Sequence, residues 1–260
     1  MTLWQGIVLG LVQGLTEFLP VSSSGHLVLV EALTGVHFTG VAVEVSLHVA
    51  TLGSVLVVYG RRVWDILRGL ARGDGPSVRY ALLLIVATIP AGVLGALFHH
   101  QIEARFHSLL FLAGTFVVTG VVLWSTRASR GERDVPTPRA AAAIGLAQAV
   151  AILPGISRSG STVAAALWSG LGPVAAAEFS FLMAIPVIAG AAVLEGRRAA
   201  IDVTAVGLVP WVVSFVIAFA VGIWSIRFLV ALLRRGRFYA FAPYCWAVGA
   251  FTLAYALWRG

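Results

Sequence analysis

Apolar residues fill the chain in long runs, and six of these approach or exceed the roughly 20 residues that a helix needs to cross a bilayer. They cover residues 41–60, 80–98, 108–125, 174–195, 204–229 and 240–258, and polar, arginine-bearing connectors such as 61–79 and 127–139 separate most of them. Two further stretches, 1–33 and 140–171, are as apolar but broken in the middle, the first by Pro20 to Gly25 and the second by Pro154 to Gly160. Each arm is too short to cross, so each stretch predicts a re-entrant helical hairpin with a polar tip. Irregular backbone of that kind is tolerated at membrane depth only where it is buried in protein or lines a wet cavity. The pattern therefore predicts an all-α polytopic membrane protein with six transmembrane helices and two re-entrant hairpins.

The two broken stretches are copies of one another. Gly10 to Gln13 returns as Gly145 to Gln148 at an offset of 135, Leu19 and Pro20 return as Leu153 and Pro154 at 134, and Glu44 to Ser46 returns as Glu178 to Ser180 at 134. Residues 1–126 and 140–260 thus form two halves of a single membrane domain, each with one hairpin and three spans. An odd number of crossings inverts the second half relative to the first. The loops after the first, third and fifth spans carry twelve arginines and the opposite side four, Arg105, Arg197, Arg198 and Arg259. Arginine-rich loops face the cytoplasm. Both termini are then expected outside, with the hairpin tips meeting near the midplane.

Composition narrows the class without adding a new one. Hydrophobic residues make up 59% and charged residues 11% of the 260 residues, which leaves a water-soluble domain too little polar surface. The net charge of +7 comes from arginines in short loops, with no basic face interleaved with aromatics, so nucleic acid is not an expected partner. The single cysteine, Cys245, cannot form an internal disulfide. No cleavable leader is expected, because the apolar start at Leu3 reads as part of the first hairpin.

The chemistry gathers at the two tips. Gln13 and Glu17 share a helix face before Pro20 ends the arm. Ser22, Ser23, Ser24 and His26 follow and open the second arm, where free backbone N–H groups and hydroxyls make an anion site. The second tip repeats this design with Ser157, Arg158, Ser159 and Thr162. Arg158 reads as the only arginine well inside an uncharged apolar region, and an ionisable residue there points to function. Its planar fork suits two phosphate oxygens, a serine or histidine nearby can attack phosphorus, and Glu17 can act as base or metal ligand. The expected substrate is an anionic head group on a lipid tail.

The stretch QGLTEFLPVSSSGH from Gln13 to His26 and the stretch PGISRSGST from Pro154 to Thr162 resemble the two signature motifs of undecaprenyl-diphosphate phosphatases of the bacitracin-resistance type. The resemblance spans essentially the whole chain. It implies hydrolysis of undecaprenyl (polyprenyl) diphosphate to the monophosphate and inorganic phosphate in the bacterial inner membrane, recycling the cell-wall carrier lipid, with a divalent cation such as Mg²⁺ or Ca²⁺. By position it makes Glu17, Ser23, His26 and Arg158 the catalytic candidates, with Ser23 and His26 as nucleophile and activator in either order. Gln13, Ser22, Ser24, Ser157, Ser159 and Thr162 become the substrate-binding candidates, and Glu17 also the metal candidate. Many relatives carry glutamate where this chain has Gln13, so more weight falls on Glu17.

Other assignments stay open on sequence alone. Gln13 could bond between helices, the serines could serve as caps, and Arg158 could pair structurally with Glu17 or Glu178. Glu44 and Glu178 read as support for the hairpins, and His48 as either lining or packing. His99, His100 and His107 read as solvated loop residues, and tryptophans near span ends as interfacial anchors. An inverted repeat with broken hairpins is also the build of secondary transporters, so a lipid-phosphate flippase or anion transporter is the alternative function. Association into a homo-oligomer is left open.

Overall fold

A computed structural model describes residues 1–35, 41–98, 101, 105, 108–129 and 131–259. Its helices are α1 (Leu3–Thr16), α2 (Ser23–Thr34), α3 (Val41–Ala71), α4 (Gly75–Leu97), α5 (Leu109–Ser125), α6 (Pro138–Val150), α7 (Arg158–Trp168), α8 (Pro173–Val206), α9 (Leu208–Arg234) and α10 (Ala242–Arg259). There is no strand among the described residues beyond one isolated bridge between Arg133 and Leu171. Six helices are long and apolar enough to cross a membrane, namely α3, α4, α5, α8, α9 and α10. Large apolar side chains such as Leu82, Ile85, Ile89 and Val93 stay exposed along α4. This is the outer surface of a multi-pass membrane protein, since lipid rather than core covers such a face.

The remaining four helices are short and are joined in pairs at the predicted breaks. At about 1.5 Å per residue the 14 residues of α1 and 12 of α2 reach little more than half to two-thirds of a ~30 Å hydrocarbon layer. The same holds for the 13 residues of α6 and 11 of α7. Local sequence sets these boundaries. Thr2 and Gln5 form a reciprocal capping box at the start of α1. Thr137 caps α6, with Pro138 at the first helical position where its missing N–H costs nothing.

The main helix pairings recur when the halves are exchanged. The first-half hairpin helix α1 lies along α9, and its counterpart α6 lies along α4, which is the counterpart of α9. The first spans, α3 and α8, pack on each other, as do the third spans, α5 and α10. Glycine makes the hairpin contacts close: a Cβ on Gly10 would stand 2.5 Å from the carbonyl oxygen of Ser214, and one on Gly145 2.6 Å from that of Ala87. The main core centres on α7 and α8, takes in residues of α3, α4, α5, α6, α9 and α10, and reaches across to Phe18, whose ring meets Phe181 edge-on at 5.4 Å.

Three sequence expectations are corrected here. The 61–79 connector is mostly helix: Arg61 to Ala71 continue α3 straight through Gly69, and the chain turns only at Arg72–Asp74 with Gly73 at φ +68°. The spans expected at 174–195 and 204–229 meet directly, since α8 runs to Val206 and Gly207 (φ +91°) alone separates it from α9. Arg158 is also not alone, as Arg227 lies inside α9. Arg227 is exposed two turns from the helix end, however, where a long side chain can snorkel toward water. His99, His100 and His107 lie outside the described residues, as do the side chains of Arg197 and Arg198.

Candidate active site

The two breaks fold into matching turns. After α1, Pro20 precludes another helical turn and the chain pivots through Val21 and Ser22. Ser22 caps α2: its Oγ accepts from the Gly25 N–H at 3.4 Å and lies 3.4 Å from Ser24 Oγ. In the second tip Ser157 Oγ accepts from the Gly160 N–H at 3.0 Å and lies 3.2 Å from Ser159 Oγ. The caps match at an offset of 135. In that register Ser23 corresponds to Arg158 and Glu17 to Ile152, so one design has diverged at the positions that carry charge and a reactive hydroxyl.

The tips lie directly against each other. A Cβ on Gly25 would be 3.0 Å from the Cα of Gly155, and one on Gly160 3.3 Å from the Cβ of Pro20. Ser159 Oγ donates to the Leu19 carbonyl at 3.1 Å. The Gly155 carbonyl accepts from Thr119 Oγ1 at 2.8 Å, and the same Oγ1 accepts from the Ser157 N–H at 3.2 Å, which fastens the second tip to α5.

Glu17 is the hub of this junction, with a side chain only 4% exposed. The Arg158 side chain, itself 20% exposed, crosses from the second tip and its guanidinium donates to Glu17 Oε1. Glu17 Oε2 accepts from Ser23 Oγ at 2.7 Å and from Gln13 Nε2 at 3.0 Å. His48 of α3 brings Nε2 to 3.6 Å from the same oxygen. A carboxylate buried this deeply needs such partners to stay charged. One oxygen is thus held by a cation and the other by a hydroxyl whose proton it is placed to take.

Of the ten residues singled out from sequence, Glu17, Ser23, Arg158 and Gln13 form one bonded cluster. Ser22, Ser24, Ser157 and Ser159 shape the two helix starts beside it. His26 does not reach Ser23 by hydrogen bond. Its Nδ1 bonds the Ser22 carbonyl at 2.8 Å, so that nitrogen donates, and Nε2 faces the Tyr244 hydroxyl at 2.8 Å with the two rings stacked 5.7 Å apart. Thr162 also lies elsewhere: its hydroxyl bonds the Arg158 carbonyl at 2.7 Å and Ser180 Oγ at 2.6 Å, bracing α7 on α8. Glu178 pairs not with Arg158 but with Arg62 at 2.8 Å, with the Tyr80 hydroxyl 3.4 Å away.

Tyr244 carries no motif and was invisible in the sequence. It is one aromatic among several in the last span, and only the fold brings α10 beside α2. His48 could be noticed only as a polar residue on an apolar helix face. No three His, Cys, Asp or Glu residues cluster as a metal site among the described residues. Gln13 Oε1 is buried without a hydrogen-bond partner.

The chain is similar to known proteins over nearly its whole length. The family model described as bacitracin resistance protein BacA matches residues 6–251. The chain is 40% identical to an undecaprenyl-diphosphatase of Desulforapulum autotrophicum, over 97% of this chain and 98% of that protein. It is similarly 40% identical to one from Desulfosudis oleivorans, covering 96% and 97% of the two chains. With one from Bacteroides fragilis it shares 38% identity over 96% and 97%.

Proposed function

The chain belongs to the bacitracin resistance protein BacA family, and from this membership and the site geometry we propose that it is an undecaprenyl-diphosphate phosphatase. The observation that carries the chemistry is the Ser23 hydroxyl donating to a carboxylate, Glu17, that is held by an arginine from the other half.

The terminal phosphate of the lipid diphosphate enters between the N-termini of α2 and α7, where N–H groups and hydroxyls face it. Arg158 transfers its donors from Glu17 to the phosphate oxygens, and this releases the carboxylate. Ser23 Oγ then attacks the terminal phosphorus while its proton passes to Glu17. The phosphoanhydride bond breaks and undecaprenyl phosphate departs, taking the proton from Glu17 on its leaving oxygen. Water then attacks the phosphoserine and gives its proton to Glu17, again a carboxylate; the serine–phosphorus bond breaks, Ser23 Oγ takes the proton back from Glu17, and inorganic phosphate leaves. Arg158 stabilises the charge that gathers on the transferring group. Ser23 is assigned the attack because the only lone pair on a neutral, Nδ1-protonated His26 ring faces Tyr244; His26 is assigned to fixing the start of α2.

A divalent cation fits the donor set. Mg²⁺ and Ca²⁺ take oxygen ligands, and Mg²⁺ commonly uses one or two carboxylates plus the substrate's phosphates. Glu17 and the unpartnered Gln13 Oε1 would hold it, and it would neutralise diphosphate charge. We further assign the two hairpins as re-entrant, the halves as an inverted repeat, the termini to the outer face of the inner membrane, and the site as open to that face. The exchange symmetry of the helix packing and the arginine-rich loops support this arrangement. The flippase or transporter alternative is not favoured, because binding alone has no need of a hydroxyl on Glu17.

The test is phosphate release from undecaprenyl diphosphate by the detergent-solubilised chain, with and without Mg²⁺, beside Ser23→Ala and Arg158→Ala. Metal-dependent release that both substitutions abolish while the protein stays folded is the expected result. A folded wild type that binds the lipid and releases nothing would overturn the assignment in favour of transport.

A further inference from the structure

His48 belongs to the same junction but has no place in the steps above. Its Nδ1 lies 2.8 Å from the Glu44 carbonyl, which can only accept, so Nδ1 carries the proton and a neutral ring leaves a lone pair on Nε2. That lone pair faces Glu17 Oε2 at 3.6 Å, a mutually repulsive arrangement that either a second proton on the ring or a cation between the two atoms removes. The distance suits two atoms sharing one ion bound at about 2.0–2.2 Å from each. An imidazole whose other nitrogen donates to a backbone carbonyl is also the usual posture of a metal-binding histidine. Independently, Gln13 is fully buried, donates to the same Glu17 oxygen at 3.0 Å, and leaves its own Oε1 without a partner. Gln148, at the same place in the second half, has an equally bare oxygen, but Ile152 stands where Glu17 would be. The amide alone therefore marks no site; the combination of amide, carboxylate and imidazole does.

We infer that His48 Nε2 is a direct ligand of the divalent cation at Glu17, and that this nitrogen makes the site prefer a first-row transition-metal ion, Mn²⁺ included, to Ca²⁺. Imidazole suits transition-metal ions, whereas an all-oxygen set suits Mg²⁺ and Ca²⁺. With two strong protein ligands the ion is completed by phosphate oxygens, so it binds together with the diphosphate. The proposal rests on the phosphatase assignment, and its test is separable from that assignment.

The test is pulsed electron paramagnetic resonance of Mn²⁺ added to the full-length detergent-solubilised chain with a short-chain prenyl diphosphate, for the wild type and His48→Gln. The expected result is nitrogen coupling from a bound imidazole in the wild type and its loss in the variant. Mn²⁺ affinity should fall at least about tenfold in the variant, and the Mn²⁺ over Ca²⁺ preference should collapse. His48 is 28% exposed and the glutamine keeps a polar side chain, so the variant is expected to fold; a second variant, His48→Asn, guards against a local fault. Absence of nitrogen coupling in a wild type that releases phosphate, or coupling unchanged in both variants, would overturn the inference and leave the phosphatase assignment standing. Absence of phosphate release would instead sink the assignment itself.

Discussion

The Ser23 hydroxyl donates to Glu17 Oε2 at 2.7 Å while Arg158, from the other half of the chain, occupies Oε1 of the same carboxylate. On the proposed assignment, nucleophile and phosphate clamp are therefore coupled through one buried acid. In the absence of substrate the arginine holds the acid in place, and a phosphate must win the arginine before the acid is free to take the serine's proton.

Removing either partner of this pair leaves a buried charge alone, which costs about 3–5 kcal/mol. Glu17→Gln and Arg158→Gln should each lower the thermal midpoint markedly in detergent. The double variant should lose clearly less than the sum of the two. Additive losses would mean that the two groups do not hold each other. The Arg62–Glu178 pair gives the contrast: with Arg62 40% exposed, Arg62→Gln should cost no more than about 1 kcal/mol in the same melts.

Ser22 holds φ +69°, a region that side-chain-bearing residues rarely adopt, while also capping α2. Glycine adopts such angles readily and costs only a few tenths of a kcal/mol as a cap. Ser22→Gly should therefore melt at or above the wild-type temperature, and Ser22→Ala below it by about 1 kcal/mol or more. Equal melting of the two would show that neither the angle nor the cap matters to stability.

The contact of α1 with α9 depends on having no side chain at Gly10. A Cβ there would stand 2.5 Å from a backbone oxygen that cannot move aside cheaply, so Gly10→Ala should cost about 1–3 kcal/mol. Gly92 has nothing within 4 Å of its would-be Cβ, and Gly92→Ala should stay within about 0.5 kcal/mol of wild type. Unfolding followed by tryptophan fluorescence would read both.

Tyr244→Phe keeps the ring stacked on His26 but removes the hydroxyl that Nε2 faces at 2.8 Å. The expected outcome is a folded protein with phosphate release reduced about tenfold and the pH profile of kcat unchanged, since the hydroxyl holds His26 at the start of α2 and misplacing reacting groups costs up to about 10² in rate. Tyr244→Ala should lose stability as well. An unchanged rate in the phenylalanine variant would separate the pair from the reaction.

The sequence by itself determined the six spans, the two breaks and the duplication, because these follow from local quantities: the length of apolar runs, the helix-stopping effect of proline, and serine caps that bond residues three positions away. It also marked Glu17, Ser23 and Arg158, because a charge or a hydroxyl cluster in an apolar stretch stands out against its surroundings. It misjudged helix ends at Ala71 and Val206, where polar residues continue a helix as readily as apolar ones. Only the tertiary structure decided which groups touch. Glu17 and Arg158 lie 141 positions apart and meet because the two hairpin tips interlock. His26 faces Tyr244 instead of Ser23, Thr162 turns to Ser180, and His48 reaches Glu17, because these partnerships depend on which helix faces meet, and chain spacing carries no record of that.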